Sequence, residues 1–427
     1  MDISRLSLPR GVVDKIGSTA KYIKQVESII HEMLSKWGYN LVLPAPIEFE
    51  DVLSRGIDDD LFGRSFRVDD WETGRLLVLP PDLTPQIARV SATRLRDCTL
   101  PHRLSYSGIA LRHSEHQSGR QREVFQSGAE LIGSNSHYSD SEILLIVIQL
   151  AEEMKVRELI LSIGHIGVCQ GVLDSCGGSK FERDELKKAV ALKDKNLVET
   201  IIVKQNIPKN IAEQLLELTR LFGGIDVLDR ASKIRWNNAS CKALDNLRFI
   251  LDSLSQAGID VTRYCSLDLG ELRGLGYHTG ITFEGYSRIS GDTLFSGGRY
   301  DTLLSKFGTS MPATGFTCDV NALAKVICFD NEGASLAVDG GLIVGSFLDY
   351  YPLAQQFRSI GISIVVESSG LSYEEALQYM ESHNMRFLLY AKNAFTCILR
   401  CRCSDREQSF DIKDLKFSVL VEIVKNY

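Results

Sequence analysis

The sequence predicts an α+β fold: a mostly antiparallel sheet flanked by helices, with a helical insertion and a small C-terminal α/β domain. Three observations carry that expectation. Short apolar segments bounded by proline and turn residues fill the first third, as strands of one sheet do. A charged, helix-favouring run from about 167 to 260 interrupts them. From residue 342 onward, strand-like and helix-like segments alternate, which implies a separate α/β unit.

In chain order, residues 19–37 place Ile23, Val26, Ile29, Ile30, Met33 and Leu34 on one helical stripe that Gly38 ends. Strands are expected at Leu41–Pro44, Arg75–Leu79, His102–Leu111 and Val124–Ile132, then an amphipathic helix at 141–155 and a strand at Leu159–Ile163. Within the insertion, Phe181–Lys204, Asn210–Leu221 and Ala243–Ala257 read as helices, with no strand signal. Strands resume at Tyr264–Leu269, Gly280–Phe283 and Gly297–Asp301. A polar linker near Asn331–Gly340 leads to strand Leu342–Val344, helix 353–358, strand Ile362–Val366, helix 373–382 and strand Phe387–Tyr390. The expected domains are therefore 1–330 and 338–427.

Composition narrows the function classes. At roughly 100–200 residues per domain, 427 residues suit two or three domains. The longest apolar stretch, Ile143–Leu150, is far short of the ~20 residues of a membrane span. The opening MDISRLSLPRG has no apolar run behind a basic segment, so a cytoplasmic protein with no membrane contact is expected. Ten scattered cysteines then read as reduced thiols. The densest group, Cys397, Cys401 and Cys403, lacks the second Cys or His cluster of a zinc site, so no metal is expected. The net charge of −7 leaves nucleic-acid binding to a local basic face. The C-terminal domain is a poor candidate for one, since Ser335–Tyr427 holds nine Lys and Arg against eleven Asp and Glu.

Three stretches carry chemistry. Residues 112–130, RHSEHQSGRQREVFQSGAE, set Arg112, Arg120 and Arg122 beside a strand–loop–strand with Gly119 in the loop. Gln126 and Glu130 are an even number of residues apart, so both project from one strand face. A carboxylate, an amide and guanidiniums together suit a small zwitterion, arginine taking its carboxylate and an acid its ammonium or imidazole N–H. The same residues also suit a solvated charged loop with Glu130 in a surface ion pair. In the second stretch, LPPDLTPQIARV at 79–90, Asp82 and Thr84 are two apart at a strand end and face one side. Thr84 before Pro85 also fits a helix N-cap. The third is RGLGYHTGITFE at 273–284, followed by GGRYD at 297–301.

These blocks resemble class II histidyl-tRNA synthetases, whose signatures read RGLDYY-xx-TVFE and GGRYD and whose motif 2 aligns with the arginine-bearing loop. The resemblance spans roughly 9–325, with a fainter match at the C-terminus. It implies that Arg273 attends the carboxylate of histidine. It also implies that Gln126, Asp82 and Thr84 attend the amino group, and Glu130, Tyr277 and His278 the imidazole. Arg112 matches the motif 2 arginine that grips the α-phosphate of ATP.

The departures from the synthetases are chemical. Motif 3 should read A-x-G-F-A-x-G-x-x-R, but 313–322 read ATGFTCDVNA, with Asp319 for the glycine and Ala322 for the arginine. Position 114 is serine where motif 2 has its glutamate, and Gly276 and His278 replace an Asp and a Tyr. Losing preorganised donors costs ~10²–10³ in rate each. PDLTPQIAR at Pro81–Arg89 and HTG at 278–280 instead resemble the histidyl-tRNA synthetase-like regulatory subunits of ATP phosphoribosyltransferase. Membership of that family implies no catalytic residue and no cofactor. It implies a short-form catalytic subunit as partner in a hetero-octamer, self-association as a dimer, L-histidine as ligand, and feedback control of the first step of histidine biosynthesis. The alternatives are a histidyl-tRNA synthetase with degenerate ATP motifs, or a synthetase-like paralogue serving another enzyme or binding RNA.

Overall fold

The computed structural model describes residues 7–113, 122–271, 277–330, 338–402, 407–411 and 417–425. Two compact units divide between Asp330 and Asn331.

The first unit opens with α1 (Gly17–Lys36), whose stripe of Ile23, Val26, Ile30 and Leu34 is buried. Gly38, at φ 80°, follows its end. β1 (Asn40–Val42) and β2 (Glu48–Phe49) lead through short helices α2 (Glu50–Leu53) and α3 (Asp59–Gly63) to β3 (Phe66–Asp69) and β4 (Leu76–Leu79). Next come α4 (Thr84–Thr93), β5 (His102–Leu111), β6 (Glu123–Ile132), α5 (His137–Glu153) and β7 (Leu159–His165). α5 starts four residues before its apolar stripe, because the Ser136 side chain accepts from Tyr138 N and caps it.

The insertion holds α6 (Ile166–Ser175), α7 (Lys180–Ala191), α8 (Lys195–Lys204), α9 (Lys209–Leu218), β8 (Phe222–Gly223), α10 (Val227–Ser232), α11 (Asn238–Gln256) and α12 (Val261–Tyr264). Two expectations are corrected here. The run 181–204 is broken at Lys193, which takes φ 57°, and Asp194 caps the next helix. The region is also not strand-free, since β8 adds two residues to the main sheet, too few for periodicity to reveal.

β9 (Cys265–Asp268), β10 (Ile281–Ser287), β11 (Thr293–Arg299), β12 (Ala313–Asp319) and α13 (Val320–Asp330) complete the unit. Among the described residues, nine strands form one sheet in the order β1-β5-β6-β12-β11-β10-β7-β9-β8. Only β1–β5 and β7–β9 pair in parallel, so the sheet is mostly antiparallel with helices against it, as in class II synthetase-like folds. α5 covers it with Ile143, Leu144, Ile146, Val147, Ile148 and Leu150 fully buried, each side chain contributing about 1.5–3 kcal/mol.

The second unit has β13 (Val338–Val344), α14 (Phe347–Ser359), β14 (Ser363–Glu367), α15 (Tyr373–Ser382), β15 (Met385–Ala391), β16 (Thr396–Cys401), β17 (Glu407–Asp411) and α16 (Phe417–Lys425). β13 pairs in parallel with both β14 and β15, while β16 and β17 continue antiparallel. α14 begins earlier than its apolar pattern and carries Pro352 within it. One core joins Tyr350, Phe357, Phe387 and Leu420, and another joins Ala376, Met380, Leu342 and Leu388, so helices cover both sheet faces.

Candidate functional site

β6 positions the first two functional side chains. Its pleat sends Gln126 and Glu130 to one face, and both are buried. Glu130 lies opposite Gly315 of β12. A Cβ at Gly315 would overlap Glu130 Oε2 and the Ala129 carbonyl, so only glycine leaves room for this carboxylate. Two tyrosines serve it: Tyr300 donates to Oε2 at 2.5 Å and Tyr106 to Oε1 at 3.3 Å. Burial nevertheless pushes the Glu130 carboxyl up to about 8, against the pull of the Tyr300 hydrogen bond.

Asp82 forms the second acid of the pocket and is 1% exposed. It accepts from Gln126 Nε2 at 3.1 Å and from the Tyr277 hydroxyl at 3.2 Å. Burial raises its carboxyl above the usual range, opposed mainly by the charge of Arg112. Gln126 is held in one orientation, because its Oε1 accepts from Leu83 N at 3.0 Å.

The local setting of Asp82 and Thr84 differs from the expected strand end. β4 stops at Leu79; Asp82 lies in the following turn, and Thr84 opens α4 with Pro85 in its first turn. Thr84 does not cap that helix. Its hydroxyl pairs with the Tyr106 hydroxyl at 3.3 Å, so the side chain serves the pocket.

Tyr106, Tyr277 and Tyr300 keep their rings in the core with Leu104, Ile132 and Leu303 and turn their hydroxyls inward. Burial raises all three well above the usual phenol range, so they remain donors at any physiological pH.

The resulting cavity, about 670 Å³, is lined by Asp82, Thr84, Arg112, Gln126, Glu130, Tyr277 and His278. Seven of the eight residues singled out in the sequence therefore meet. The eighth, Arg273, lies outside the described residues, as do Ser114, Gly119, Arg120 and Gly276. Burial depresses the His278 imidazole to about 4, so it is neutral, and its Nδ1 has no partner. Thr282, 5% exposed, lines the same cavity with an unpartnered hydroxyl. Buried polar groups are normally satisfied. Acceptors on one wall and unpaired polar atoms on another define a site for a small, polar, multiply hydrogen-bonding ligand. Tyr106, Tyr300 and Thr282 were not picked out as site residues from sequence; Tyr300 and Thr282 had a signal, as members of GGRYD and RGLGYHTGITFE, and Tyr106 had none.

An adjoining cavity of about 700 Å³ shares Arg64, Arg112, Gln126, Glu284 and Thr317 with the first and adds His113, Asp292, Asp319, Asn321 and Lys325. Asp319 Oδ1 accepts from the backbone N–H of Asn321 at 2.9 Å and of Ala322 at 3.1 Å. The start of α13, otherwise an anion-binding position, is thus filled by the chain's own carboxylate. Lys325 is paired with Asp292 at 3.2 Å.

The arginine of GGRYD has a structural task. Arg299 Nε lies 3.1 and 3.0 Å from the Asp140 oxygens, and its other nitrogens reach the carbonyls of Ser134 and Ser136. Both side chains are nearly inaccessible, so β11 is pinned to the start of α5 behind the pocket. Cys397 and Cys401 are buried, Cys403 lies outside the described residues, and the described residues include no cluster of three or more potential metal ligands.

Comparison with known proteins adds the following. The family model for histidyl-tRNA synthetase matches residues 11–323. The ATP phosphoribosyltransferase regulatory subunit of Geobacter sulfurreducens is 38% identical over 385 residues, covering 90% of this chain and 87% of that one. Its counterpart from Syntrophotalea carbinolica is 34% identical over 410 residues, 95% of each chain. Among solved structures, an ATP phosphoribosyltransferase regulatory subunit/histidyl-tRNA synthetase from Bacillus halodurans matches with TM-score 0.78 at 27% identity, covering 90% of this chain and 98% of its own. A histidyl-tRNA synthetase from Nostoc sp. PCC 7120 matches with TM-score 0.78 at 18% identity, 98% of this chain and 99% of its own, and shares the fold.

Proposed function

Since the chain belongs to the family of ATP phosphoribosyltransferase regulatory subunits, built on the histidyl-tRNA synthetase fold, we propose that it is a non-catalytic subunit that binds L-histidine in the Asp82–Glu130 pocket. It activates a short-form catalytic subunit and mediates feedback inhibition of the first step of histidine biosynthesis. The observation that carries this reading is a contrast between neighbouring cavities. The inner one gathers seven residues suited to an amino acid with an imidazole. The outer one presents Asp319 and Ala322 where ATP activation requires cationic donors on the phosphates.

In this reading Asp82, Thr84 and Gln126 hold the ammonium group, Glu130, Tyr277 and His278 the imidazole, and Arg273 the carboxylate. Arg112 steadies Asp82 electrostatically. The partner is the catalytic subunit, in a cytoplasmic hetero-octamer containing dimers of this chain, with no metal, cofactor, nucleic acid or membrane. Inhibition requires that histidine bind two assembly states unequally; a coupling of about 1–3 kcal/mol changes affinity roughly 5–150-fold.

The test is calorimetry of histidine binding with the isolated chain and with the complex, alongside inhibition of the complex. Glu130→Lys and Arg273→Ala should weaken both binding and inhibition while assembly persists. Unchanged histidine affinity in both variants would place the ligand elsewhere. A second reading, a synthetase with degenerate motifs, predicts ATP–pyrophosphate exchange; a histidyl-adenylate made by the purified chain would overturn the non-catalytic assignment.

A further inference from the structure

The hairpin of β3 and β4 takes no part in either cavity, yet its tip carries Trp71, 95% exposed. No large apolar side chain among the described residues is more exposed. Val68 and Leu76, 53% and 40% exposed, flank it on the two strands. Lone apolar side chains on a surface are common. A fully solvated tryptophan on an ordered turn is a different case.

The order of the turn follows from its hydrogen bonds. Asp70 N donates to the Arg75 carbonyl at 2.9 Å, and Gly74 N donates to the Asp70 carbonyl at 2.8 Å. The Asp70 carboxylate accepts from Glu72 N at 3.2 Å and from the Thr73 hydroxyl, so both of its oxygens shape the turn. Gly74 closes the loop at φ 69°, in the left-handed region. Trp71 therefore sits on backbone that is already fixed, which lowers the entropy cost of burying it against a partner.

Charge around the tip is one-sided. Residues 50–55 and 66–76 hold five carboxylates against three guanidiniums. All three guanidiniums are engaged at the base of the hairpin. Arg67 pairs with Glu50 at 2.7 Å, Arg75 with Asp51 at 2.5 Å, and Arg55 Nε donates to the Asp51 carbonyl at 3.1 Å. Asp69 and Glu72, beside Trp71, have no cationic partner among the described residues.

We propose that this hairpin docks the catalytic subunit, with Trp71 entering an apolar socket that lysine or arginine side chains of that subunit surround. The inference rests on the regulatory-subunit reading above, which requires a surface for a second kind of chain. Tryptophan is enriched among the few side chains that carry most of the energy of an interface. Unpaired carboxylates beside it select a basic rim. The same carboxylates repel nucleic-acid phosphates and anionic lipid headgroups. A second copy of this chain, at net charge −7, is a poorer counterpart than a basic surface.

The test measures binding of the full chain to the purified short-form catalytic subunit by biolayer interferometry. The parental chain should bind, and more weakly as salt rises from about 50 to about 300 mM. Trp71→Ser should weaken binding about thirtyfold or more, and Trp71→Phe by less. Asp69→Asn with Glu72→Gln should slow association several-fold at low salt. Circular dichroism should show every variant folded, since these side chains are exposed. Acrylamide quenching, read as the difference between the parent and Trp71→Phe, should find Trp71 accessible in the free chain and shielded in the complex. No binding by the parental chain would sink the regulatory-subunit reading and this inference together. Parental affinity in Trp71→Ser, an unshielded Trp71 in the complex, or faster association of the charge-neutralised variant would overturn the hairpin assignment alone. So would loss of self-association in Trp71→Ser, measured by sedimentation, with catalytic-subunit binding intact.

Discussion

Tyr300 donates its hydroxyl to Glu130 Oε2 at 2.5 Å, across a strand whose facing residue, Gly315, has no side chain to intervene. The pair shows how the site is made. A carboxylate is held in the core by donors from distant parts of the chain, inside a gap that glycine keeps open.

The raised Glu130 carboxyl predicts a pH-dependent stability. Its folded value of about 8 lies above its ordinary 4.5, so the folded state holds a proton that the unfolded chain has lost between those values. Stability should therefore fall as pH rises from about 4.5 to 8 and level off above that window. In Glu130→Gln this contribution should vanish, and denaturant midpoints from pH 5 to 9 measure it. A slope as steep in the variant would refute the assignment.

Gly315→Ala places a methyl group where Glu130 Oε2 and the Ala129 carbonyl now sit. The carboxylate must swing away, at a cost of about 1–3 kcal/mol. We expect a folded protein with at least about tenfold weaker ligand binding, about 1.4 kcal/mol. Calorimetry with histidine checks it, and parental affinity would contradict the geometry.

Arg299→Ala leaves Asp140 buried without its counter-charge, and the loss should be about 3–5 kcal/mol. The double variant with Asp140→Ala should recover part of it. Urea denaturation of the two single variants and the double variant supplies the cycle; fully additive losses would mean that the two side chains do not act as a pair.

Asp319→Ala removes the acceptor for Asn321 N and Ala322 N, and should cost about 0.5–2 kcal/mol of stability. Asp319→Gly combined with Ala322→Arg frees the helix start and restores a cation. That variant should gain measurable ATP affinity where the parent shows none. Parental chain that already binds ATP as tightly would remove the basis for the non-catalytic reading.

Much of the fold was legible because its signals are local. His102–Leu111 is the strand its proline boundary and apolar run indicated, and the stripe of α1 is the one that buries. Boundaries moved where a cap or turn overrides the apolar pattern, as at Ser136 and Lys193. β16 lacked a clean local signal: Cys397, Leu399 and Cys401 point inward, but apolar Ile398 on the half-buried face blurs the alternation of Thr396–Cys401. β8 carries too few residues for any periodicity.

By itself, the sequence determined which side chains could form the pocket and that the motif 3 arginine is gone, since strand alternation and motif spacing need no knowledge of distant chain. Only the tertiary structure decided what those side chains meet. Glu130 finds its donors 24 and 170 positions away, and Thr84 turns from helix cap to pocket hydroxyl because Tyr106 lies opposite it. Hydrogen-bond partners and the space left by a glycine depend on which strands lie side by side, and that pairing is a property of the folded sheet.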